Sequence, residues 1–223
     1  MKRRQFLISG SILALGLFAS TKVKAASFIN RIAEVSNEFK QRIIKIIQEL
    51  KAEGSNLVRK IMHAKKYEYD PYTHYPYDGG IKDEATGYQL FFHIHRPNEF
   101  GHFHTFATDD NGDLVHLVLI SMDEQGKPTA LATVNRWVTG DKYVNADVLK
   151  GLTDDFYVNP SLFPDPKVIE FINNIFKAYS DEIYQLYDER EVWIKDYVNK
   201  YFREPFEDRD YEVLSERRID LDF

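Results

Sequence analysis

Three hydrophobic patterns follow one another along the chain and predict its main elements. Over residues 27–65, apolar side chains recur every three, four or seven positions, which is the period of a helix that buries one face. Residues 88–138 instead contain four short apolar runs separated by turn sequences, which is typical of strands. The runs are 88–95, 102–108, 114–122 and 129–138. The helical period returns after Asp165 and Pro166, a cap residue followed by proline at the first helical position.

The order of these patterns predicts an α+β fold. Short connections between the strand-like runs favour an antiparallel sheet of about four strands within 88–138. The third run is apolar on both faces, so helices are expected to cover the sheet. A long N-terminal helix and one or two long C-terminal helices would supply this cover, with a short helix near 146–152. Because no linker or internal repeat is visible, residues 26–223 are expected to form one domain.

Two segments lack a regular period. Residues 66–87 hold five tyrosines among prolines and glycines, which predicts a surface loop laid over the core. The alternative is one wall of a binding cleft, since tyrosine combines an apolar ring with a polar tip. Residues 203–223 carry eight acidic and four basic side chains and are expected to form an irregular, solvated tail.

Residues 1–25 resemble a twin-arginine export signal. Arg3 and Arg4 precede Phe6 and Leu7, an apolar run follows, and small residues end the segment. The apolar run is shorter than an ordinary membrane span of about 20 residues. The resemblance implies the twin-arginine export machinery as a partner, a periplasmic location and no membrane span after cleavage. A general secretion signal and an uncleaved anchor are the alternatives.

Composition narrows the chemistry of the mature chain. The 223 residues include no cysteine, which excludes disulfides, thiolate metal sites and thiol nucleophiles. The net charge is −6, and the first 25 residues hold five basic and no acidic side chains, so cleavage there would leave −11. A surface of that sign argues against nucleic acid or an anionic membrane as a partner, because both require positive charge.

Five of the seven histidines lie between positions 93 and 116. His93 and His95 end one predicted strand, and His102 and His104 begin the next. Because residues two apart share a face of a strand, pairing His95 with His102 would bring all four imidazoles to one side, close enough to share an ion. The next turn would place His116 on the same side, opposite Phe106.

Several polar residues are expected around this cluster. Glu99 lies in the hairpin loop, and the register of the fourth run places Asn135 and Trp137 on the histidine side. Arg96 and Arg136 are candidates to hold an anionic group by paired hydrogen bonds. For each arginine, a structural salt bridge is the simpler interpretation, given 35 acidic residues in the chain.

Imidazoles in this number predict a divalent transition metal such as zinc, iron or copper. His93, His95, His102 and His104 are the expected ligands, with His116 as a further candidate. Glu99 would complete the coordination shell or act as a general base. A metal with an open coordination position polarises a bound oxygen or activates water, which would support hydrolytic or oxidative chemistry.

Two alternatives use the same residues without a metal. In the first, the histidines provide acid or base catalysis for a small polar ligand that Arg96 or Arg136 binds. In the second, the protein is a non-catalytic periplasmic binding or interaction module, and the histidines line its groove. Chelator-insensitive activity would favour the first, and histidine substitutions that change only stability would favour the second.

Two resemblances bear on this cluster. Gly87, His93, His95 and Glu99 fit the opening of the first cupin motif, G-x5-H-x-H-x3-E, whose side chains bind metal in cupins. The second cupin motif is not evident in the chain. The run from His93 to Phe106, together with 116–123 and 135–140, resembles an uncharacterised bacterial domain family. That resemblance implies a shared fold unit without an assigned activity.

Overall fold

The structure is a computed structural model that describes residues 12–221. The paired arginines of the predicted export signal, Arg3 and Arg4, lie outside the described residues, as do Phe6 and Leu7. Among the described residues, no helix combines the length and apolarity that a membrane crossing requires.

The described residues form six α-helices and seven strands, in agreement with the expected α+β class. The helices are α1 Ile12–Ala52, α2 Leu57–Ile61, α3 Arg136–Thr139, α4 Ala146–Asp154, α5 Pro166–Ala178 and α6 Ser180–Tyr201. The strands are β1 Asp70–Tyr75, β2 Ile81–Asp83, β3 Tyr88–Ile94, β4 His102–Thr108, β5 Leu114–Met122, β6 Pro128–Val134 and β7 Val213–Arg218. A 3-10 turn, Pro160–Leu162, precedes α5.

The sheet is antiparallel and larger than the four strands expected from the sequence. Its order is β1-β3-β4-β5-β6-β7, and β2 pairs with β3 beside β1. The four central strands, β3 to β6, correspond to the four apolar runs. The three additional strands come from the two segments that were expected to be irregular.

The tyrosine-rich segment 66–87 supplies an edge of the sheet rather than only a surface loop. Asp70 of β1 pairs with Ile94, and Ile81 of β2 pairs with Leu90. Its tyrosines differ in environment, because Tyr75 is buried in the core and Tyr72 is exposed. β1 also contains Pro71, which has no backbone N–H to donate. A strand at the edge of the sheet tolerates this residue, because one of its sides has no neighbouring strand to bond.

The C-terminal segment 203–223 is also more ordered than expected, because β7 pairs with β6 along its length. Ser215 is the central contact: its hydroxyl donates to the Leu186 carbonyl over 2.8 Å and lies 2.6 Å from the Thr133 hydroxyl. These buried hydrogen bonds join β7 to both β6 and α6. The charged residues that predicted a solvated tail lie mostly on exposed positions.

The two long helical regions each contain a break. α1 ends at Ala52 and is followed by Gly54, which has a φ of +70°. The chain then enters α2, where the Asn56 side chain caps the helix by accepting from the Arg59 backbone N–H over 2.9 Å. The C-terminal helical region breaks at Tyr179, between α5 and α6, rather than near residues 188–190.

One face of the sheet packs against the helices and forms the main core. Residues from α1, α2, α4, α5 and α6 share a single hydrophobic cluster with this face. The sheet contributes fully buried side chains such as Phe92, Phe103 and Ile120. The other face carries the histidines and a smaller apolar cluster of Leu119, Ala132 and Val134. The two sides of the sheet are therefore divided between packing and candidate chemistry.

A β-bulge in β5 places His116 on the histidine face. His104 and Phe106 are two residues apart on β4, whereas their partners on β5, Leu119 and His116, are three residues apart. The extra residue reverses the alternation of sides beyond the bulge. Without it, His116 would point into the main core.

Thr105 stabilises this bulge from the strand opposite. Its hydroxyl donates to the Val118 carbonyl over 2.7 Å and accepts from the Val118 backbone N–H over 3.1 Å. Because Thr105 is fully buried, these hydrogen bonds satisfy backbone groups that water cannot reach.

Candidate metal centre

Four imidazoles lie together at the end of the β3–β4 hairpin. One ligand nitrogen from each of His93, His95, His102 and His104 lies within 4.8 Å of the corresponding nitrogen of the other three. The observed pairing is His93 with His102, which differs by two residues from the pairing expected from the sequence. An even shift preserves the side of every residue, so the expected common face is observed.

His102 is oriented by a carboxylate. Its Nδ1 contacts Glu99 Oε1, and its Nε2 lies 3.1 Å from Nε2 of His104. A tetrahedral ion with metal–nitrogen bonds of 2.0–2.1 Å has ligand atoms about 3.3 Å apart. The two Nε2 atoms therefore have nearly the separation that a shared ion requires, and Glu99 holds the ring from behind, as carboxylates do at many histidine metal sites.

His104 is oriented by a second histidine. Nδ1 of His104 lies 3.0 Å from Nε2 of His116, on the side of the ring away from His102. His116 is buried, and its backbone N–H donates to Asp141 Oδ2 over 3.1 Å. The sequence made His116 a candidate ligand, but the structure places its ring behind His104, outside the group of four.

His93 carries an unpaired nitrogen inside the cluster. Its Nε2 is buried and has no hydrogen-bond partner among the described residues. A hydrogen bond to the backbone of Pro71 in β1 also acts on this side chain. Since an unpaired buried nitrogen is costly, a ligand at Nε2 would satisfy it. The residues present therefore suit a metal ion on this side of the ring.

Burial keeps three imidazoles of the cluster, those of His93, His95 and His104, neutral at pH 7. Loss of hydration, with a smaller effect of neighbouring imidazoles, lowers the pKa of His93 to about 3 and that of His95 to about 4. The same causes hold the pKa of His104 well below its usual value. A neutral imidazole keeps a free lone pair on one nitrogen, which is the form that binds a metal.

Glu99 is buried, ionised and already engaged. Burial alone raises its pKa, but hydrogen bonds from His102 and Ser121 and the positive charge of Arg96 outweigh this effect and lower the pKa below its usual value. Nη1 of Arg96 lies 3.3 Å from Glu99 Oε2. Only 5% of the Glu99 side chain is exposed, so this carboxylate is not free to meet a ligand from solvent.

A cleft of about 690 Å³ opens over the cluster. His93, His95 and His104 line its floor, whereas His102 is fully buried beneath them. The volume lies within the range of small-molecule sites, about 300–1,000 Å³. The walls include Tyr72, Phe91, Phe106, Trp137, Arg209 and Glu212.

Asn135 and Arg136, which the sequence placed among the candidate site residues, do not line the cleft. Asn135 is fully buried and caps α3, and its amide donates to the backbone carbonyls of Pro205 and Tyr211. Arg136 pairs with Glu207 at the surface. Trp137, by contrast, lines the cleft as expected.

Arg96 faces a separate hollow rather than the cleft over the histidines. Besides Glu99, it contacts Glu212 Oε1 at 3.2 Å and Glu216 Oε2 at 3.5 Å. Three carboxylates around one guanidinium leave it little capacity for an external anion. The structural salt bridge considered for Arg96 is thus the arrangement observed.

Two cleft residues were missed by sequence reasoning. His74 of β1 lies with its ring 4.2 Å from that of Phe91 and 5.1 Å from that of His93. Arg209 also lines the cleft, with its guanidinium 4.9 Å from the centre of the Trp137 ring. Both lie in segments expected to be irregular, and only a strand assignment for 70–75 would have pointed to His74.

The matched family covers the whole site. Residues 37–219 match a family model described as a domain of unknown function, DUF6969. The chain belongs to this family. No curated protein and no solved structure matches the chain. The histidine cluster and the cleft therefore belong to the DUF6969 domain itself. The resemblance to an uncharacterised domain family is confirmed at that level.

The shorter cupin-like motif has a different arrangement here. His93 and His95 contribute to the group of four imidazoles, but Glu99, the third motif residue, contacts His102. The other two imidazoles of the group, those of His102 and His104, come from β4. The DUF6969 domain therefore arranges the motif residues around an all-histidine group.

Proposed function

We propose that this DUF6969 domain binds one divalent transition metal ion through His93, His95, His102 and His104 and presents it to small ligands in the cleft. The observation that carries the proposal is the convergence of four imidazole nitrogens within 4.8 Å, on two adjacent strands and the residue that follows the first of them. Rigid strands hold ligands in place better than loops do.

The donor set indicates which metals to expect. Nitrogen ligands suit zinc, iron and copper, whereas magnesium and calcium prefer oxygen. An imidazole that binds a metal carries no charge, so four of them would leave the charge of a divalent ion uncompensated. Such a centre polarises a bound oxygen and lowers the pKa of bound water. Hydrolytic and oxidative chemistry both remain within this proposal.

The surrounding residues would act by orienting ligands. We assign Glu99 to hold His102, and His116 to hold His104, each through the ring nitrogen that faces away from the ion. In this assignment Glu99 is a positioning residue, and the general-base role considered from the sequence has no support in its contacts. Orienting partners of this kind typically change metal affinity by about 10- to 100-fold.

Metal analysis tests the proposal directly. Full-length protein purified without a histidine tag should contain, or take up on titration, about one equivalent of zinc or another transition metal. The double variant His93→Ala/His104→Ala should lose this uptake. His63→Ala is the matched control, because His63 is an exposed histidine that packs against Phe163, outside the cluster.

The outcomes separate the candidate functions. Less than about a tenth of an equivalent, with no uptake on titration, would overturn the metal proposal. It would favour a metal-free site or a non-catalytic module. Uptake should also stabilise the fold, by about 2.7 kcal/mol at a free zinc concentration 100 times Kd. Equal uptake by the double variant would place the ion elsewhere.

We also propose that the protein is exported to the periplasm by the twin-arginine route. The support is the order of Arg3 and Arg4, the apolar run and the small residues at the end of the first 25 residues. The variant Arg3→Lys/Arg4→Lys should accumulate in the cytoplasmic fraction, measured by immunoblot of cell fractions. Unchanged export of this variant would favour the general secretion route.

A further inference from the structure

We propose that the ligand of the cleft is a small organic acid, whose carboxylate binds Arg209 and whose flat apolar body lies against the aromatic wall. This inference rests on the proposed metal site and names the ligand class for it. It begins from Arg209, a residue that no sequence motif marks.

Arg209 is a cation without a carboxylate partner among the described residues. Other arginines near this part of the fold, Arg136, Arg203 and Arg217, each form an ion pair. The one contact of Arg209 in the described part of the chain is the face of Trp137. Stacking uses the face of the guanidinium and leaves its edge, which carries the N–H donors, available to an anion.

Trp137 is itself held in place, so it can position Arg209. Its indole Nε1 donates to the Tyr211 carbonyl over 3.0 Å. This hydrogen bond joins α3 to the segment that carries Arg209. Both side chains line the same cleft as His93 and His104. An anion on Arg209 would therefore share the cleft with a ligand of the proposed ion.

The charges in the cleft favour an anion, although the chain is acidic overall, with a net charge of −6. Four neutral imidazoles would leave a divalent ion with its full positive charge, to which Arg209 adds one more. Of the two acidic residues that line the cleft, Glu212 contacts Arg96 and Asp78 is fully exposed to solvent. Their negative charge is thus balanced or screened by water.

The remaining wall selects a flat apolar body. The rings of Phe91 and Phe106 stack with their centres 5.5 Å apart, and each is mostly buried. These two rings and Trp137 all line the cleft, and an aromatic lining suits a planar group. A carboxylate at one end of such a molecule and a metal-binding oxygen at the other would satisfy both charged features.

Cobalt-loaded protein offers a direct test, because the visible spectrum of bound Co²⁺ responds to its ligands. The protein is first loaded and its cobalt content measured. It is then titrated with 4-hydroxybenzoate, which has a carboxylate at one end of a flat ring and an oxygen for the metal at the other, with neutral 4-hydroxybenzamide, and with azide as an anion that needs only the metal. Wild type is compared with Arg209→Gln. Arg217→Gln is the matched control, since Arg217 lies on β7 and pairs with Glu189 outside the cleft.

We expect 4-hydroxybenzoate to bind wild type and the Arg217→Gln control equally, and 4-hydroxybenzamide to bind more weakly. Arg209→Gln should weaken 4-hydroxybenzoate binding by at least about tenfold, as loss of a charged hydrogen bond predicts, without changing azide binding or cobalt content. Equal 4-hydroxybenzoate affinity in Arg209→Gln and wild type, or no 4-hydroxybenzoate binding at all, would overturn this inference alone. Absence of cobalt uptake would overturn the proposed metal site.

Discussion

Gly101 offers a test of the geometry that joins the histidines, because it ends the loop between Glu99 and His102. Its φ of +86° lies in the left-handed region. A Cβ at this position would lie 2.3 Å from Cζ of Phe92 and 2.8 Å from the His93 carbonyl oxygen. Phe92 is fully buried and has no room to move away. Gly101→Ala therefore adds both backbone strain and a steric clash.

The size of the effect follows from these two contributions. Left-handed backbone costs about 1–2 kcal/mol for a residue with a Cβ, and overpacking a core costs about 1–3 kcal/mol. The free energy of unfolding of Gly101→Ala should thus fall by about 2–5 kcal/mol. Gly112→Ala is a matched control, because Gly112 has a φ of +85° and no atom within 4 Å of the added Cβ. It should lose only the strain contribution.

Urea denaturation of metal-free protein measures both variants, and zinc titration adds a functional readout. Because Gly101 lies between Glu99 and His102, its substitution should also weaken zinc binding by about 10-fold or more, as displaced orienting groups do. Gly112→Ala should bind zinc like wild type. If Gly101→Ala were no less stable than Gly112→Ala, the close approach of this loop to Phe92 would be refuted.

Three further changes probe the contacts around the cluster. Glu99→Gln keeps an acceptor for His102 but removes the charge, so zinc affinity measured by calorimetry should fall by about 10-fold; Glu216→Gln, which touches Arg96 and not His102, should leave it unchanged. Burial, with smaller contributions from His102 and Arg190, lowers the pKa of His116 to about 3. Below about pH 6.5 His116 therefore takes up a proton in the unfolded chain but not in the folded chain. The resulting proton uptake favours unfolding, so the free energy of unfolding is highest above pH 6.5 and falls as the pH decreases toward 3. When the pH is lowered from 7.5 to 5, the free energy of unfolding of metal-free wild type, measured by urea denaturation, should fall by about 2 kcal/mol more than that of His116→Phe. An equal fall in both proteins would contradict a neutral His116. Thr105→Val leaves the Val118 backbone groups at the bulge unsatisfied and should lower the free energy of unfolding by about 2–4 kcal/mol, whereas an unchanged value would mean that the bulge does not depend on this hydroxyl.

The central strands could be predicted from sequence because local signals define them. Turn sequences mark the ends of β3 to β6, and the observed bounds of β4 and β5 match the expected ones. Because side chains alternate between the two faces of a strand, the histidines lie on one face for any pairing that differs from the expected one by an even number of residues. For the same reason, the shift by two residues in the pairing of His102 left the candidate ligands unchanged.

The register itself depends on contacts distant in the chain. Phe100 donates to the Met122 carbonyl over 2.7 Å, and the Met122 N–H donates to the Gly101 carbonyl over 2.9 Å. These hydrogen bonds attach the hairpin loop to the end of β5. Local residue preferences do not encode such an attachment, so the loop length alone led to a pairing two residues away from the one observed.

The missed edge strands had sequences that argue against strands. β1 contains Pro71, and β7 contains a run of charged residues, Glu216 to Arg218. Both features are compatible with edges, where one side of the strand has no neighbour and charge prevents unwanted pairing. His74 and Arg209 were missed for this reason, since each lies on or beside a segment that the composition described as irregular.

The centre and the edges of the sheet supply different parts of the proposed site. The proposed ligands come from β3, β4 and the residue just after β3, as do the cleft rings of Phe91 and Phe106, whereas Tyr72 and Arg209 come from β1 and from the segment before β7. Metal uptake should therefore depend on the central hairpin, and the choice of a charged ligand on the edges. Arg209 and Tyr72 are exposed residues of the cleft, so substitutions there disturb little packing. The domain can thus change its ligand at the edges while the strands that hold the ion stay the same.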